Sequence, residues 1–290
     1  MRILNRIVEW TDAGISYEAD QRHAEIIVRD MGLQKDSKAV TTPSTAPSVE
    51  EDEEELVSEE AAMYRALVAR ANFIAQDRGD IAFTVKELCR SMSRPRHCDV
   101  IRLKRLARYL AFRPRVVIKF DYQELGDDVT VWTDTDHAGC LRTRKSTSGG
   151  VVMLGSHNVK MWSVNQAVIA LSSGEAEYHG MVKGASTGLG IKGMLIDMGI
   201  KCDVVLRTDS SAAKGIASRR GLGRIRHMEL AELWLQEKVA TGTIQVRKVK
   251  GSENLADALT KPPSRDMLST HMAGTSQVAA QGRHKLAPGV

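Results

Sequence analysis

Short apolar runs, some continuous and some alternating with polar residues, recur along the second half of the chain. They predict strands at 129–133, 150–154, 159–164, 204–208 and 244–249, because successive side chains of a strand point to opposite faces of a sheet. Apolar residues spaced by three or four positions predict helices at 173–198, 212–217, 228–240 and 255–261. Three consecutive strands followed by alternating helices and strands predict an α/β domain. Its mixed five-stranded sheet would have three antiparallel strands first and helices flanking it.

The remaining residues divide by composition. Residues 1–35 predict a hairpin followed by a helix, and residues 56–115 predict a mostly helical segment. Between them, residues 36–55 pass from Thr, Pro and Ser to a run of acids, which predicts an acidic flexible linker. We place the α/β domain at 116–263. Residues 264–290 show little periodicity and predict a disordered tail.

Composition limits the class of protein. The 290-residue chain is 42% hydrophobic and 27% charged, and its net charge of +5 fits a polyanionic partner. The sequence contains no apolar stretch of the ~20 residues that a transmembrane helix needs, and its first residues do not resemble a signal peptide. The four cysteines have no CxxC spacing, which disfavours a zinc site. We therefore expect an intracellular protein, cytoplasmic or nuclear and not secreted, with no membrane partner.

Four acidic residues occupy the ends of predicted elements. Asp134 and Asp209 end strands, Glu177 lies at a helix start, and Asp257 lies on the last short helix. Carboxylates that meet in one place repel each other, and divalent cations relieve that repulsion. Two such ions a few Å apart can cleave a phosphodiester. Each acid taken alone is better explained as a helix cap or a surface charge, so the hypothesis depends on all four together.

Several motifs in this region resemble one family. They are residues 132–139 (WTDTDHAG), 144–149 (RKSTSG), Trp162, Gln166, 170–178 (ALSSGEAEY) and 255–262 (LADALTKP). Together they resemble the ribonuclease H domain of copia-type retrotransposon Pol polyproteins. Upstream, residues 64–75, 80–85 and 103–110 resemble the segment that joins polymerase and ribonuclease H, and residues 1–33 resemble the end of the polymerase palm and thumb. The Tyr-x-Asp-Asp polymerase motif does not occur in the sequence, so we expect no DNA synthesis.

The resemblance implies a ribonuclease H-like fold after a mostly helical thumb or connection segment. It also implies endonucleolytic hydrolysis of the RNA strand of RNA–DNA hybrids, with the polymerase portion of a reverse transcriptase as a partner. Asp134, Glu177, Asp209 and Asp257 would hold two Mg²⁺ ions, with Mn²⁺ as a substitute. Glu175 does not share a helix face with Glu177, and the family motif favours Glu177. Asp136 does share a strand face with Asp134, which leaves it open as an accessory group.

Basic and hydroxyl residues near the acids are candidates for nucleic-acid contacts. Such residues would draw in a phosphate backbone and contact 2′-hydroxyl groups. They are Arg142, Arg144, Lys145, Ser173, Ser210, Arg224, Arg226 and Lys250. A predicted helix farther upstream is also basic, with Arg102, Lys104, Arg105 and Arg108. A solvated face and a phosphate-contacting surface both explain that helix.

Two alternatives stay open. A catalytically inactive retrotransposon remnant would keep the fold and only bind nucleic acid, and a different nuclease or integrase on the same fold would act on DNA. Many cellular ribonucleases H have a histidine in the loop before the last Asp, and here residues 249–254 (VKGSEN) contain none. His227 is one candidate for that role, and a structural histidine at a helix start is the alternative.

Overall fold

The chain forms two compact units. A computed structural model describes residues 1–34, 37–46, 54–124, 126–223, 227–228 and 233–290. Unit 1 comprises Met1–Tyr122 and Pro262–Val290, and unit 2 comprises Gln123–Lys261. The elements in chain order are β1 (Arg2–Ile3), β2 (Arg6–Thr11), β3 (Gly14–Glu18), α1 (Gln21–Asp30), α2 (Ser58–Ala75), α3 (Gly79–Arg90), α4 (His97–Phe112), β4 (Arg115–Asp121), β5 (Asp128–Asp136), β6 (Thr147–Leu154), β7 (His157–Asn165), α5 (Ser173–Asp197), β8 (Asp203–Thr208), α6 (Ser211–Ser218), α7 (Trp234–Ala240), β9 (Ile244–Lys248), α8 (Arg265–Gly274) and β10 (Gln277–Ala280). None of the helices described there is long and apolar enough to cross a membrane.

Unit 1 packs helices and an antiparallel sheet around one apolar core. The strand order is β1-β2-β3-β4-β10. Helices α1 to α4 bury one face each, with Tyr64 and Tyr109 fully enclosed. The hairpin and helix expected at 1–35 and the helices expected at 56–115 are present. The sequence predicts a mostly helical segment before the α/β domain, whereas unit 1 also contains a five-stranded sheet.

Two domain boundaries differ from the sequence prediction. β4, which we assigned to the α/β domain at 116–263, pairs with β3 and β10 and belongs to unit 1. The prediction of a disordered tail at 264–290 is wrong, because α8 and β10 are ordered parts of unit 1. Leu268 and Met272 of α8 are buried in its core, and the backbone of β10 pairs with β4. Backbone pairing needs no apolar pattern in the strand, so the residues of β10 carry little sign of it.

Part of the predicted linker contacts the helices of unit 1. The Arg105 guanidinium donates to Thr42 Oγ1 at 2.9 Å, and the Thr84 hydroxyl donates to Ser44 Oγ at 2.9 Å. Residues 37–46 therefore lie against α3 and α4 without regular secondary structure. Residues 36 and 47–53 of the predicted linker, which include most of its acidic run, lie outside the described residues. Residues 229–232 of the helix predicted at 228–240 also lie outside them.

Unit 2 has the predicted mixed sheet. Its strand order is β7-β6-β5-β8-β9. β5, β6 and β7 pair antiparallel, whereas β8 and β9 join parallel to β5. The prediction of three antiparallel strands followed by helices and parallel strands is confirmed. The helix predicted at 255–261 is shorter, a single 3₁₀ turn at Asp257–Leu259.

A row of glycines lets α5 approach the middle strand of this sheet closely. A Cβ built at Gly180 would lie 2.5 Å from Thr135 Oγ1, and one at Gly184 would lie 2.5 Å from Thr133 Cγ2. At Gly188 a Cβ would lie 2.8 Å from the side chain of Val131. The three glycines are spaced by four and therefore share one helix face. Their close packing fixes the position of the first turns of α5 against the carboxyl end of β5.

Candidate active site

Two of the predicted acids reach the same edge of the unit 2 sheet. β5 and β8 run parallel, with Trp132 opposite Arg207 as the last pair. Asp134 lies two residues beyond that pair, and Asp209 directly follows β8. Because the carboxyl ends of parallel strands meet at one edge of a sheet, the two side chains arrive side by side.

Glu177 is brought to this edge by α5. Ser172 caps the helix by accepting a hydrogen bond from the Glu175 amide. Glu177 follows in the second turn, just ahead of the glycine row that packs on β5. Carboxylate oxygens of Asp134, Glu177 and Asp209 all lie within 4.8 Å of one another. Three elements that are distant in sequence thus build one carboxylate cluster.

The cluster is buried and electrostatically unfavourable without a counterion. Asp134 is only 6% exposed. Burial raises its pKa to about 6, a hydrogen bond from Thr260 opposes that rise, and the charges of Asp257 and Asp209 add to it. Burial, and then the charges of Asp134 and Asp209, raise the pKa of Glu177 to about 9. The structure therefore holds carboxyl groups where their ionised forms repel each other.

These residues fit a divalent metal ion with oxygen ligands. The Oε2 atom of Glu177 is buried and has no hydrogen-bond partner, which is unusual for a carboxylate oxygen unless an ion completes its surroundings. The cluster is formed by carboxylates, as Mg²⁺ and Mn²⁺ prefer, and not by the cysteine and histidine ligands typical of structural zinc.

Asp257, the fourth predicted acid, lies next to this cluster. Its charge raises the pKa of Asp134, but its own carboxylate forms an ion pair with Lys261. The pKa of the Lys261 ammonium is raised above its usual value. Burial lowers this pKa, but the hydrogen bond to Asp257 and the charges of the surrounding acids raise it by more. Three of the four predicted acids thus share one cluster, and Asp257 is neutralised beside it.

The two glutamates of α5 have different surroundings. Glu175 is buried, and its Oε2 accepts from the Leu171 amide at 3.2 Å and contacts His227 Nε2 at 3.0 Å. His179 Nε2 lies 3.7 Å from Oε1. Glu175 therefore holds neighbouring segments together, while Glu177 faces the other acids. His227, the candidate for the missing loop histidine, contacts Glu175 and is not a member of the cluster.

The described candidates for nucleic-acid contacts lie around this edge. Four segments leave the sheet on the side of the cluster. They are the loop after β5, the connection from β7 to α5, the connection from β8 to α6, and the segment after β9. Ser210 uses its side-chain oxygen to cap α6, and Lys250 is paired with Glu253 at 3.7 Å. The members on this edge are Arg142, Arg144, Lys145, Ser173, Ser210 and Lys250. Arg224 and Arg226 lie outside the described residues.

Some residues that support the cluster are not predicted by the sequence patterns. Asn254 Nδ2 donates to the Thr133 carbonyl oxygen at 3.0 Å, which fixes the last segment of unit 2 against β5. Gly149 pairs with Asp134 across the sheet, and a Cβ there would lie 2.8 Å from Leu259 and Thr260. The spacing of Gly180, Gly184 and Gly188 was a readable signal, whereas the partners of Asn254 and Gly149 were not.

Similar solved structures are ribonuclease H domains. The N-terminal RNase H domain of a Mycobacterium tuberculosis protein is 17% identical, with a TM-score of 0.33, over 51% of this chain and 98% of that one. RNase H1 from Halobacterium salinarum is 18% identical, with a TM-score of 0.34, over 46% and 94%. An RNase H1 isolated from compost, 15% identical with a TM-score of 0.31 over 46% and 93%, was solved in complex with an RNA/DNA hybrid. Unit 2 is an α/β unit with a mixed five-stranded sheet.

The sequence comparisons give relatives of one kind. No protein-family profile matches the chain. The Pol polyprotein from transposon RE1 of Arabidopsis thaliana is 30% identical over 207 residues, and that from transposon TNT 1-94 of Nicotiana tabacum is 28% identical over 190 residues. These matches cover 70% and 63% of this chain, which spans 14% of the length of each relative. The chain is thus homologous to retrovirus-related Pol polyproteins of copia-type transposons.

Proposed function

We propose that the protein hydrolyses the RNA strand of RNA–DNA hybrids as the ribonuclease H part of a retrotransposon reverse transcriptase. The observation that carries this proposal is the meeting of Asp134, Glu177 and Asp209 within 4.8 Å at the edge of a ribonuclease H-like sheet. The homology to retrotransposon Pol polyproteins supports the same assignment. No polymerase activity is proposed, because the sequence contains no Tyr-x-Asp-Asp motif.

The chain's own residues hold and shield two Mg²⁺ ions in this proposal. Asp134, Glu177 and Asp209 supply the ligand oxygens, and Asp257 adds negative charge or a further oxygen on release from Lys261. Ions held there would supply an activated water and would stabilise the leaving oxygen of a phosphodiester. Thr260 fixes the orientation of Asp134, and the burial of Asp134 shields its carboxylate from bulk water. Mn²⁺ would serve as a substitute, since the ligands are the same.

Residues around the cluster support this choice of substrate. Arg142, Arg144 and Lys145 lie on the loop between β5 and β6, where they can neutralise phosphates of an approaching duplex. Ser173 is exposed at the start of α5, where a hydroxyl can contact a 2′-hydroxyl group. An RNA strand offers both groups. Arg144→Ala should therefore weaken hybrid binding and reduce its salt dependence.

The second candidate is a nucleic-acid-binding remnant without catalytic activity. The ion pair of Asp257 with Lys261 favours it, because an acid held by an ammonium is not free to bind a metal ion. The two candidates share the fold and the substrate. Only the chemical step separates them.

A substrate panel tests the proposal. The full chain is incubated with end-labelled RNA–DNA hybrid, RNA duplex or DNA duplex, in Mg²⁺ or in EDTA. We expect cleavage of the RNA strand of the hybrid alone, only in Mg²⁺, with 5′-phosphate and 3′-hydroxyl products. Binding without cleavage at any Mg²⁺ or Mn²⁺ concentration would assign the remnant. Equal cleavage of DNA duplex would assign a different nuclease.

A further inference from the structure

The exposed face of α4 in unit 1 carries a compact group of cations. Lys104, Arg105 and Arg108 lie at i, i+1 and i+4, on one side of the helix. Leu103, Leu106, Ala107 and Leu110 occupy the other side and are buried in the core of unit 1. Since the apolar face already anchors α4, the cations are not needed to hold the helix in place.

These three cations have no acidic partner in the described part of the chain. The Arg105 guanidinium donates to the Thr42 hydroxyl, which is uncharged. The Nε atoms of Arg105 and Arg108 are buried and have no hydrogen-bond partner. Arg102, one turn earlier, differs, because it pairs with Asp99 at 3.0 Å. Among the described residues, Arg102 thus has an acidic partner, whereas Lys104, Arg105 and Arg108 do not.

The arrangement is unfavourable without a counter-charge. Burial and the nearby charge of Arg108 both lower the pKa of Arg105. Four residues of helix span ~6 Å, so Lys104, Arg105 and Arg108 concentrate three positive charges over a length in which one strand of duplex presents about two phosphates. Guanidinium groups suit phosphate oxygens, which they can bind with two parallel hydrogen bonds. A polyanion with regularly spaced phosphates therefore matches this surface.

We propose that Lys104, Arg105 and Arg108, here called the α4 surface, bind the phosphate backbone of a nucleic-acid duplex. The α4 surface belongs to unit 1, whereas the carboxylate cluster belongs to unit 2. It would give the protein a hold on nucleic acid that does not involve the cluster. The inference rests on the proposed function only in the choice of an RNA–DNA hybrid as the probe.

The test is hybrid binding by the full chain with cleavage blocked. Fluorescence anisotropy of a labelled hybrid is measured in EDTA over a range of salt concentrations. The test variant is Lys104→Gln/Arg105→Gln/Arg108→Gln. The control is Arg29→Gln/Arg94→Gln/Lys238→Gln, which removes the same number of positive charges from residues already paired with Asp30, Glu55 and Glu237. Both variants have the same net charge, so only the location of the lost charges differs.

We expect the α4 variant to bind about tenfold or more weakly than wild type at ~0.1 M salt, with a salt slope smaller by about 2–3, while the control changes little. Equal weakening by both variants would overturn the proposal, because overall charge would then explain the loss. Failure of the wild type to bind the hybrid would also overturn it. The proposal would also be overturned if a poly-glutamate peptide of equal charge displaced the labelled hybrid from the wild type as readily as unlabelled hybrid does. That result would indicate an acidic protein partner.

Two measurements keep the result interpretable. If the triple variant does not fold, as judged by circular dichroism, Lys104→Gln alone serves, because Lys104 is exposed and contributes nothing to the core. It should reduce the salt slope by about 1. Cleavage is measured separately. Binding that depends on the α4 surface, without any cleavage, would contradict the proposed function but support the role of the α4 surface. Cleavage by a triple variant that binds as well as wild type would support the proposed function but contradict the role of the α4 surface.

Discussion

The Thr260 hydroxyl donates a hydrogen bond to Oδ2 of Asp134, across 126 positions of sequence. Thr260 is fully buried and also contacts the Asp257 carbonyl oxygen at 3.1 Å. The bond lowers the pKa of Asp134 against the effect of burial. It therefore joins the last segment of unit 2 to the acid at the centre of the cluster.

Replacing Thr260 by Val should destabilise unit 2. The substitution keeps the shape of the side chain and removes the donor, which leaves a buried carboxylate oxygen without its partner at a cost of about 1–3 kcal/mol. Thr260→Ser retains the hydroxyl and should cost about 1 kcal/mol for the lost methyl group. Urea denaturation of both variants measures the difference. A Val variant as stable as wild type would show that the bond contributes nothing.

Glu177→Gln and Glu175→Gln should separate the two roles on α5. Glu177 faces the cluster, so its loss should reduce cleavage by more than the roughly 10–100-fold typical of residues that only support a metal ligand. Glu175 contacts Leu171 and His227, so its variant should keep cleavage within about tenfold and lower the melting temperature instead. Initial cleavage rates and thermal melts report both effects. Loss of cleavage in Glu175→Gln with cleavage retained in Glu177→Gln would contradict these roles and assign the cluster to Glu175.

Gly184→Ala should destabilise the contact between α5 and β5. The new Cβ would lie 2.5 Å from a methyl carbon of the buried Thr133, and such overpacking costs about 1–3 kcal/mol. Gly190 is on the same helix with nothing within 4 Å of its Cβ position. Gly190→Ala should therefore stabilise by about 0.5–1 kcal/mol through helix propensity alone. Denaturation midpoints of the pair test this, and two changes of the same sign would refute the close packing.

Without metal ions, the stability of the chain should fall as pH rises. Burial and neighbouring charges raise the pKa of Glu177 from 4.5 to about 9, so the folded state keeps a proton that the unfolded state releases. The stabilisation from that proton is complete below 4.5 and is lost as pH rises to about 9. The free energy of unfolding of wild type minus that of Glu177→Gln, measured in EDTA, should decrease through this range. A difference independent of pH would mean that Glu177 ionises normally.

The sequence predicted most of unit 2 because local patterns define it. Runs such as Val129–Val131 alternate or cluster their apolar residues, and the motifs around Asp134, Glu177 and Asp209 identify the strand and helix ends that meet. What local patterns cannot supply is the partner of an element. The β4 segment is clearly strand-like, but nothing in its residues tells whether it pairs with β3 of unit 1 or with the other sheet.

Distant polar partners were equally hidden. Thr260 reads as an ordinary residue before Lys261 and Pro262, and its function depends on a carboxylate 126 positions away. Residues 264–290 were misjudged because Leu268 and Met272 are the only apolar residues of α8 in the core of unit 1, while β10 is held by backbone hydrogen bonds to β4. The ion pair of Asp257 with Lys261 depends on the geometry of a single turn, which motif matching does not resolve.

The most direct test compares wild type with Asp134→Asn in Mg²⁺-dependent cleavage of a labelled RNA–DNA hybrid, with hybrid binding and circular dichroism as controls. Asn is close in shape to Asp but lacks the charge that a metal ion requires. We expect that wild type cuts the RNA strand, and that the variant folds and binds the hybrid but does not cut. Cleavage by the Asn variant at the wild-type rate would contradict the claim that the cluster of Asp134, Glu177 and Asp209 performs the chemistry.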